Sequence, residues 1–386
     1  MKIAIITGNS YPNGDAGAVR QHAMAKLLLE MGHDVFVIGY GQPTNGKVEQ
    51  FDGVCFISFR GKSSNVVMRA VNRLLFGNRV LHYLKKELAD VKCLLVVDLL
   101  PAALCKVRKY AIRKNISLIH DSVEWYSPEE FSKGEKSRAF RNKEYTNTVA
   151  IDENWSVIAI SKYLENHFKT RCKNVVRIPV IMDMKTISPR LNAKDADKIM
   201  FMYAGSPGRK DFLKEMLVGF SLLDEADLQQ IEIHIIGVNQ DQLMRQCGVE
   251  EKTIKKLGDA LHAHGRVPRD KVVTWVKQAD YTLLLRDETL RYAKAGFPTK
   301  VVESLACGTP VVCNLSSDLE DYLEDGINAF VIPGHKPEDV RVTILRIIKN
   351  GKPSVDMRMA ARDSAEKCFD YHNYLDQMQT VLQEKA

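Results

Sequence analysis

The chain has 386 residues, of which 45% are hydrophobic and 27% charged, and its formal net charge is +7. The length is enough for two domains with complete cores, and the composition is that of a globular protein. Apolar runs such as 93–100 are too short to cross a bilayer, and the chain enters a strand without the layout of a signal peptide. The eight cysteines form no CxxC pair, which argues against a zinc site or redox dithiol and indicates free thiols in a reducing, cytoplasmic compartment.

The chain begins with a predicted buried strand over 2–7, a glycine-containing loop and a helix over 18–31. A strand at 35–38 follows, and this β–loop–α–β order predicts a parallel sheet with right-handed crossovers. Gly14 and Gly17 lie in the loop, where the backbone can approach a ligand closely. Their spacing is not GxGxxG, and a merely flexible turn is the alternative.

Positive charge is concentrated in residues 60–114, which contain 13 lysines and arginines against 3 acidic residues. A helix predicted over 65–88, interrupted near Gly77, combines apolar positions at helical spacing with basic side chains. Such a helix can lie at an anionic membrane surface, although a domain helix with a solvated basic side gives the same pattern. The patch indicates an anionic partner, either phospholipid or a diphosphate-linked acceptor, since no aromatic-interleaved basic motif supports nucleic acid.

Polar residues follow the strand predicted at 116–119, where His120, Asp121 and Glu124 come in quick succession. Ligands of open α/β sheets bind beyond the carboxyl ends of strands, so one of these side chains could orient or deprotonate an acceptor hydroxyl. The alternative is that they serve as cap and turn residues. A helix over 138–153, strands at 156–160 and 175–180, and a polar linker over 182–198 complete this half.

The second half restarts the α/β pattern with a strand over 199–203. This strand leads into Gly205, Ser206, Pro207 and Gly208, and the adjacent cations Arg209 and Lys210 precede a predicted helix. A small loop with two cations at a helix N-terminus suits phosphate binding, although it is not a P-loop. Arg266 lies in a later turn, and a strand over 281–285 leads to Arg286.

The stretch 286–314 has three predicted parts: a flexible polar lead-in to Gly296, a helix, and a short apolar strand. The helix opens at Phe297-Pro298-Thr299-Lys300, and Gly308 suits its left-handed C-terminal cap. Unpaired N–H groups and the helix dipole make its N-terminus an anion site, to which Thr299 and Lys300 add a hydroxyl and a charge. Glu303, one turn further in, could accept hydrogen bonds from the diol of a nucleotide. A capped structural helix with an exposed Glu303 is the alternative.

The pattern resembles the family 4 glycosyltransferases of the GT-B fold, over nearly the whole chain. The most specific match is PTKVVESLACGTPVVCN at 298–314, and the 13–17 loop, 160–162, 178–179, 205–210 and 279–280 support it. The resemblance implies two Rossmann-like, doubly wound α/β domains facing across a cleft, with the acceptor on the first and a nucleotide sugar on the second. It also implies retention of anomeric configuration and no required metal or other cofactor.

The sequence departs from the family's pattern at two positions. The family has two glutamates eight residues apart; Glu303 matches the second, which holds the ribose, whereas Ala295 replaces the first, which contacts the donor sugar. The usual arginine after Gly205 is replaced by Ser206, so Lys210 is carried over as the phosphate-binding lysine and Arg209 less directly. Arg286 and Lys300 are the candidates to supply the charge that these departures remove.

We therefore expect domains at 1–185 and 186–369, and a helix over 370–386 that packs back on the first domain. The expected enzyme is a hexosyltransferase-like glycosyltransferase of polysaccharide biosynthesis, cytoplasmic or at the inner membrane face, with a lipid-linked or cell-surface glycan acceptor. The candidate catalytic residues are His120, Asp121, Glu124 and Lys210. The expected nucleotide-sugar site comprises Gly14, Gly17, Gly205, Ser206, Arg209, Lys210, Arg266, Arg286, Phe297, Thr299, Lys300 and Glu303. A nucleotide-sugar epimerase or hydrolase of the same fold, and a nonenzymatic protein bound at a membrane surface, are the alternatives.

Overall fold

The computed structural model describes residues 1–14, 16–61, 65–192 and 197–383. Asp15, in the first glycine loop, and residues 193–196 of the predicted linker lie outside the described residues. The described chain forms two α/β units, each built on its own sheet, which confirms the predicted fold class.

The first sheet contains, within the described residues, eight strands in the order β3-β4-β2-β1-β5-β6-β7-β8. All neighbouring strands are parallel except the edge pair β3 and β4. The apolar runs of β1 and β5 are buried on both faces, as a parallel sheet covered by helices requires. The strands are β1 Lys2–Thr7, β2 Asp34–Gly41, β3 Glu49–Phe51, β4 Val54–Arg60, β5 Cys93–Val97, β6 Ser117–Ser122, β7 Ser156–Ala159 and β8 Val175–Arg177.

Helices cover both faces of this sheet: α1 Ala16–Glu30, α2 Val66–Lys86, α3 Pro101–Lys114, α4 Arg138–Tyr145 and α5 Lys162–Lys169. The expected interruption of α2 near Gly77 is wrong, because the helix is continuous. A Cβ at Gly77 would lie 2.9 Å from the Cα of Ala103, so this glycine permits the close packing of α2 on α3. The helix predicted over 138–153 is also shorter than expected, since a π-helical turn, Thr146–Ala150, follows α4.

The second sheet has, in the described part of the chain, six parallel strands in the order β11-β10-β9-β12-β13-β14. They are β9 Ile199–Ala204, β10 Ile231–Ile236, β11 Leu261–Gly265, β12 Tyr281–Leu284, β13 Val311–Cys313 and β14 Ala329–Val331. The accompanying helices are α6 Leu213–Ser221, α7 Glu225–Gln229, α8 Gln240–Arg245, α9 Glu251–Leu257, α10 Arg269–Gln278, α11 Arg291–Ala295, α12 Thr299–Ala306, α13 Pro337–Asn350 and α14 Val355–Phe369.

The strand order reverses between β9 and β12, because the chain moves from β9 outwards to β11 and then returns to β12 on the other side. Open α/β sheets bind ligands in the crevice outside the carboxyl ends of the strands at such a reversal. The ends of β9 and β12 are Ala204 and Leu284, so residues 205–210 and Arg286 both lie at this crevice.

The chain returns to the first sheet at its end through α15, Leu375–Leu382. Met378, Val381 and Leu382 are buried in one apolar cluster with Ile178 of the first half and with strands β1 and β2. The Tyr371 hydroxyl, just before α15, donates to Glu30 of α1 at 2.7 Å. Residues 384–386 of the expected C-terminal helix lie outside the described residues.

The helices of the described residues were also compared with what a membrane span needs. In these ranges, no helix combines the length and apolar character needed to cross a lipid bilayer.

Candidate functional site

The loop of residues 205–210 connects β9 to the region of α6 and is held by backbone hydrogen bonds. Gly205 donates its N–H to Ile236 of β10 at 2.9 Å, and Lys210 donates to Pro207 at 3.2 Å. Gly205 adopts a φ of +148°, and a Cβ there would lie 2.6 Å from Cε of Lys300. The absence of a side chain at Gly205 therefore lets the Lys300 side chain pass directly against the loop backbone.

Lys300 belongs to α12, the helix predicted to bind an anion. Pro298 precedes this helix and provides no side-chain cap, so the N–H groups of the first turn are not taken by a capping side chain. Cys307 caps its C-terminus and Gly308 follows with a φ of +70°, as the sequence predicts. Thr299, Lys300 and Glu303 are half-buried, and the contact between Lys300 and Gly205 brings the first turn of α12 to the 205–210 loop.

A buried carboxylate, Asp211, joins the two cations predicted on separate segments. Lys300 pairs with one of its oxygens, Arg286 donates to the other at 3.0 Å, and the Tyr203 hydroxyl donates at 2.8 Å. Burial alone would raise the pKa of Asp211, but Lys300 and Arg286 hold that pKa at about 2. Two cations on one carboxylate leave this cluster with a net charge of +1 beneath the loop.

Lys210 reaches across to the first domain. Its ammonium group pairs with Glu124 and lies 3.0 Å from Oε1 of Glu130. It also lies 5.1 Å from the ring centre of Tyr126, while the Tyr292 hydroxyl of α11 donates to the Lys210 carbonyl at 2.6 Å. Burial raises the pKa of Glu130 although Lys210 opposes this shift. The expected phosphate-binding lysine is therefore part of a contact between the domains.

A cleft of about 330 Å³ separates the 205–210 loop from the first domain. Tyr126, Glu130 and Phe131 line the first-domain side, and residues 206–210 line the other. Its volume is in the range of small-molecule sites, and it combines cations, a carboxylate and aromatic rings. This combination can bind a phosphorylated ligand that also carries a polar organic group.

Residues 184–364 match the family described as "Glycosyl transferases group 1". The matched residues make up a little under half of the chain and include the whole second sheet. The matched residues contain both the 205–210 loop and α12, together with the Asp211 cluster. The loop, the first turn of α12 and the Asp211 cluster therefore all lie within the matched residues, and the first-domain wall of the cleft lies outside them.

Curated glycosyltransferases are also similar to part of this chain. The D-inositol 3-phosphate glycosyltransferase of Nocardiopsis dassonvillei is 24% identical over 218 residues, which are 53% of this chain and 49% of that protein. The glycosyltransferase MJ1069 of Methanocaldococcus jannaschii is 20% identical over 204 residues, or 50% of this chain and 49% of that one. The chain thus spans about half the length of the curated relatives it matches.

Solved structures resemble the chain over nearly its whole length. Sucrose-phosphate synthase from Thermosynechococcus elongatus superposes with a TM-score of 0.73 at 16% identity, covering 99% of this chain and 98% of that one. The Anabaena protein Alr3699/HepE, solved with UDP and glucose, gives 0.70 at 15%, covering 99% of both chains. WaaG, a glycosyltransferase involved in lipopolysaccharide biosynthesis, gives 0.67 at 14% over 100% of both. These likenesses show the GT-B fold.

Several predicted site residues of the second half of the chain meet at this crevice. Gly205, Lys300 and Arg286 are joined directly or through Asp211, and Ser206, Arg209 and Lys210 line the cleft beside them. Arg266 is exposed at the turn after β11. The structure corrects the prediction that Phe297 contacts the nucleotide. The Phe297 side chain is buried against Tyr322 and Phe369, so its ring is part of the core and is not open to a nucleotide.

One of the three acceptor-site candidates of the first domain contacts the 205–210 loop, and the other two lie in the core. Glu124 contacts Lys210, whereas Asp121 is buried and forms a bidentate ion pair with Arg20 of α1. His120 is buried between Trp155 and Phe168, and burial lowers its pKa to about 3. The expectation that His120 and Asp121 face an acceptor is therefore corrected, because both side chains have structural surroundings. Gly14 lies between β1 and α1, and Gly17 lies in the first turn of α1, both on the first domain.

Sequence reasoning missed the residues that connect these features. Asp211 falls at the start of the helix predicted after Lys210, and no periodicity marks Tyr203, Tyr126 or Glu130 as neighbours of Lys210 or Lys300. The only available signal was that Asp211 directly follows the two cations Arg209 and Lys210. A buried acid after two cations is a reasonable candidate for an ion pair.

One group near the crevice has the composition of a cation site. Among the described residues, Asp287, Glu288 and His335 have ligand atoms that all lie within 4.8 Å of one another. His335 Nδ1 lies 2.9 Å from Glu288, which also accepts from Asn314 at 2.7 Å. Carboxylate and imidazole ligands of this kind are compatible with several divalent metals.

Proposed function

We propose that the protein is a glycosyltransferase that transfers a sugar from a nucleoside diphosphate to a glycan acceptor. The main observation behind this proposal is that the 205–210 loop contacts the first turn of α12 through Gly205 and Lys300. This contact lies where the strand order of the second sheet reverses. Helix N–H groups and cations on this crevice suit a diphosphate, and the proposal assigns the ribose to Glu303, one turn into α12. The nucleotide complex solved for the structural neighbour from Anabaena supports a nucleotide-sugar donor.

The proposed chemistry needs charge stabilisation on the diphosphate as the glycosidic bond breaks. Lys210, Arg209 and the net positive Asp211 cluster supply it at the leaving group. Retention of the anomeric configuration and independence from a metal complete the proposal, since the family resemblance implies both. Treatment with EDTA is expected to leave the rate unchanged. If EDTA lowers the rate and Mg²⁺ or Mn²⁺ restores it, metal independence is contradicted. Asp287, Glu288 and His335 would then be the candidate metal ligands.

The acceptor is proposed to be lipid-linked, because α2 presents an apolar surface with basic residues around it. Val67, Met68, Val71, Leu74 and Leu75 are 38–68% exposed along one half of this helix. Arg69 and Arg73 are exposed among them. An exposed apolar face with cations matches the interface of an anionic bilayer, where apolar side chains enter the acyl boundary and cations meet phosphate headgroups.

The activity is tested by incubating the chain with a panel of nucleotide sugars and measuring nucleoside diphosphate release, with and without lipid-linked glycan acceptors. We expect release that depends on the acceptor, and a product with the anomeric configuration of the donor. Lys210→Ala and Glu303→Ala are expected to reduce the rate at least tenfold. Release without an acceptor would indicate the hydrolase alternative, and undiminished activity in both variants would overturn the site.

The membrane contact is tested separately with vesicles of phosphatidylglycerol and phosphatidylcholine. Leu74→Ser with Val67→Ser is expected to lower cosedimentation several-fold and leave the unfolding temperature unchanged, because both side chains are already exposed. Val342→Ser on α13, where the side chain is 60% exposed on the second domain, is the matched control. Equal binding of all three proteins would contradict a role for α2.

A further inference from the structure

The family's first glutamate is absent, and the structure explains why position 295 cannot serve the cleft. Ala295 is fully buried at the end of α11, and its carbonyl accepts a hydrogen bond from the buried Ser161 hydroxyl at 2.8 Å. Ser161 belongs to the first domain, so this part of α11 lies in the contact between the domains. A carboxylate at 295 would point into packed protein, and any acid that meets the donor sugar must come from another element.

A carboxylate does face the 205–210 loop from the opposite wall. Glu130 lines the cleft, its side chain is 4% exposed, and its Oε1 lies 3.0 Å from Lys210 Nζ. Its other oxygen, Oε2, accepts from the Ser127 backbone N–H at 2.7 Å in a capping box, which fixes the direction of the side chain. Glu130 is therefore a buried, oriented acid beside the lysine proposed to bind the diphosphate.

Two aromatic residues stand next to this acid. The rings of Tyr126 and Phe131 both line the cleft, with centres 5.3 Å apart and planes at 76°. Both side chains are half-buried, so each leaves part of its ring open to the cleft. An aromatic surface beside a carboxylate suits a sugar, because a pyranose offers apolar C–H groups on its faces and hydroxyl donors at its edge.

We propose that Glu130 binds a hydroxyl of the transferred sugar, and that Tyr126 and Phe131 form the surface on which the sugar ring lies. The role missing at Ala295 is then supplied by the first domain. An ammonium group has three donors, so Lys210 can bind a phosphate oxygen and keep Glu130 in place. This inference rests on the proposed function, since it assumes that the 205–210 loop holds the diphosphate.

Glu124 is the competing candidate, and its surroundings differ from those of Glu130. It also pairs with Lys210, but its side chain is 30% exposed and it does not line the cleft. Glu130, in contrast, has a side chain that is almost fully buried and one oxygen held by the chain itself. A fixed acceptor distinguishes hydroxyl positions better than a mobile one, because less side-chain entropy is lost on binding.

The test compares the dissociation constants of a nucleoside diphosphate and of the matching nucleotide sugar, by calorimetry, on the full chain. In Glu130→Gln the nucleotide sugar is expected to lose about 10- to 100-fold in affinity relative to the diphosphate, as for a lost hydrogen bond to a charged group. Gln retains an oxygen for the Ser127 N–H, so the local turn is kept. Glu129→Gln, an exposed neighbour in the same turn, is the control and should leave the ratio unchanged.

The ratio of the dissociation constants of the nucleotide sugar and the nucleoside diphosphate distinguishes the possible outcomes. If both ligands change equally in Glu130→Gln, the residue acts through Lys210 on the phosphates and the inference is overturned. Phe131→Ser provides a second measurement that does not alter charge, and it should shift the ratio in the same direction. An unmodified protein that binds neither ligand would instead contradict the proposed function itself.

Discussion

At the scale of single residues, Asp211 joins three segments of the candidate site. It is buried, yet it binds Arg286, Lys300 and Tyr203, which come from the ends of β12, α12 and β9. Its carboxylate therefore positions two cations that would otherwise repel each other. Lys300 and Arg286 therefore act together as one positively charged group, which Asp211 holds in position.

The first prediction concerns the stability that Asp211 provides. Its pKa is about 2 in the folded protein against 3.8 ordinarily, which corresponds to about 2 kcal/mol. The folded pKa is the lower one, so this stabilisation is present above pH 4 and is lost as the pH falls from about 4 to about 2. Asp211→Asn should therefore lower the free energy of unfolding by at least about 2 kcal/mol at pH 7, with a smaller difference near pH 3. Urea denaturation at both pH values measures it, with exposed Asp259→Asn as control.

The second prediction concerns Gly205, where space and backbone conformation both require glycine. An alanine Cβ would lie 2.6 Å from Lys300 Cε at a φ of +148°, so Lys300 must move away from the loop. We expect Gly205→Ala to reduce kcat/KM for the nucleotide sugar about 10- to 100-fold. Gly248→Ala is the control, because Gly248 also has a positive φ, +71°, but has open space around it and lies outside the cleft. Similar losses in both variants would mean that backbone strain alone is responsible.

At the scale of elements, α11 is the segment that departs most from expectation. Residues 286–296 were expected to be a flexible lead-in, but Arg291–Ala295 is helical and contacts the first domain. Arg291 lies 4.6 Å from the Trp125 ring centre and donates to Glu144 at 2.7 Å, and Ser127 accepts from the Tyr292 N–H at 2.9 Å. The helix connects the two domains at the position where the family pattern places a donor-binding acid.

The third prediction follows from the burial of α11. Restoring the family residue with Ala295→Glu should place an unpaired charge in the domain contact, lower the unfolding temperature by several degrees and fail to raise activity. Lys294→Glu, one residue earlier and exposed, is the control and should change the unfolding temperature little. A more active Ala295→Glu variant would show that position 295 does reach the donor sugar.

The secondary-structure elements that could be predicted are those whose sequence signal lies within a short window. The strands at 2–7, 35–38 and 199–203, α12, its Gly308 cap and the 205–210 loop follow from apolar runs and from proline and glycine positions within short windows. No such signal predicts β3 or β11. The continuity of α2 was not predictable, because Gly77 is needed for the contact with Ala103 of α3. The hydrophobic periodicity of α2 does not identify the residue against which it packs. The same holds for α11, whose short apolar content is buried only because the first domain covers it.

At the scale of the whole molecule, the site depends on contacts between residues far apart in the chain. Lys210 meets Glu124 and Glu130, and Ser161 meets Ala295, across the two domains. A single sequence contains no periodicity for such pairs, since they depend on how the domains face each other. The 205–210 loop and the first turn of α12 were therefore predictable from local patterns, whereas the Asp211 cluster that joins them and the first-domain wall with Tyr126, Glu130 and Phe131 were not.

The return of the chain to the first domain gives the last prediction. Met378 of α15 is fully buried in the apolar cluster beneath the first sheet, although it follows the second domain in sequence. Met378→Ala should lower the free energy of unfolding of the first domain by about 2–5 kcal/mol, as for other buried methionines truncated to alanine. In a Trp275→Phe background the remaining tryptophans, Trp125 and Trp155, lie in the first domain and report its unfolding by fluorescence in urea.

Gln379→Ala, exposed on the same helix, is the control. A lowered midpoint for Met378→Ala alone means that the C-terminal helix completes the first core, so the first domain is closed by a segment from the second half of the chain. An unchanged midpoint would mean that the first domain is stable without α15 and that the two halves are energetically separate.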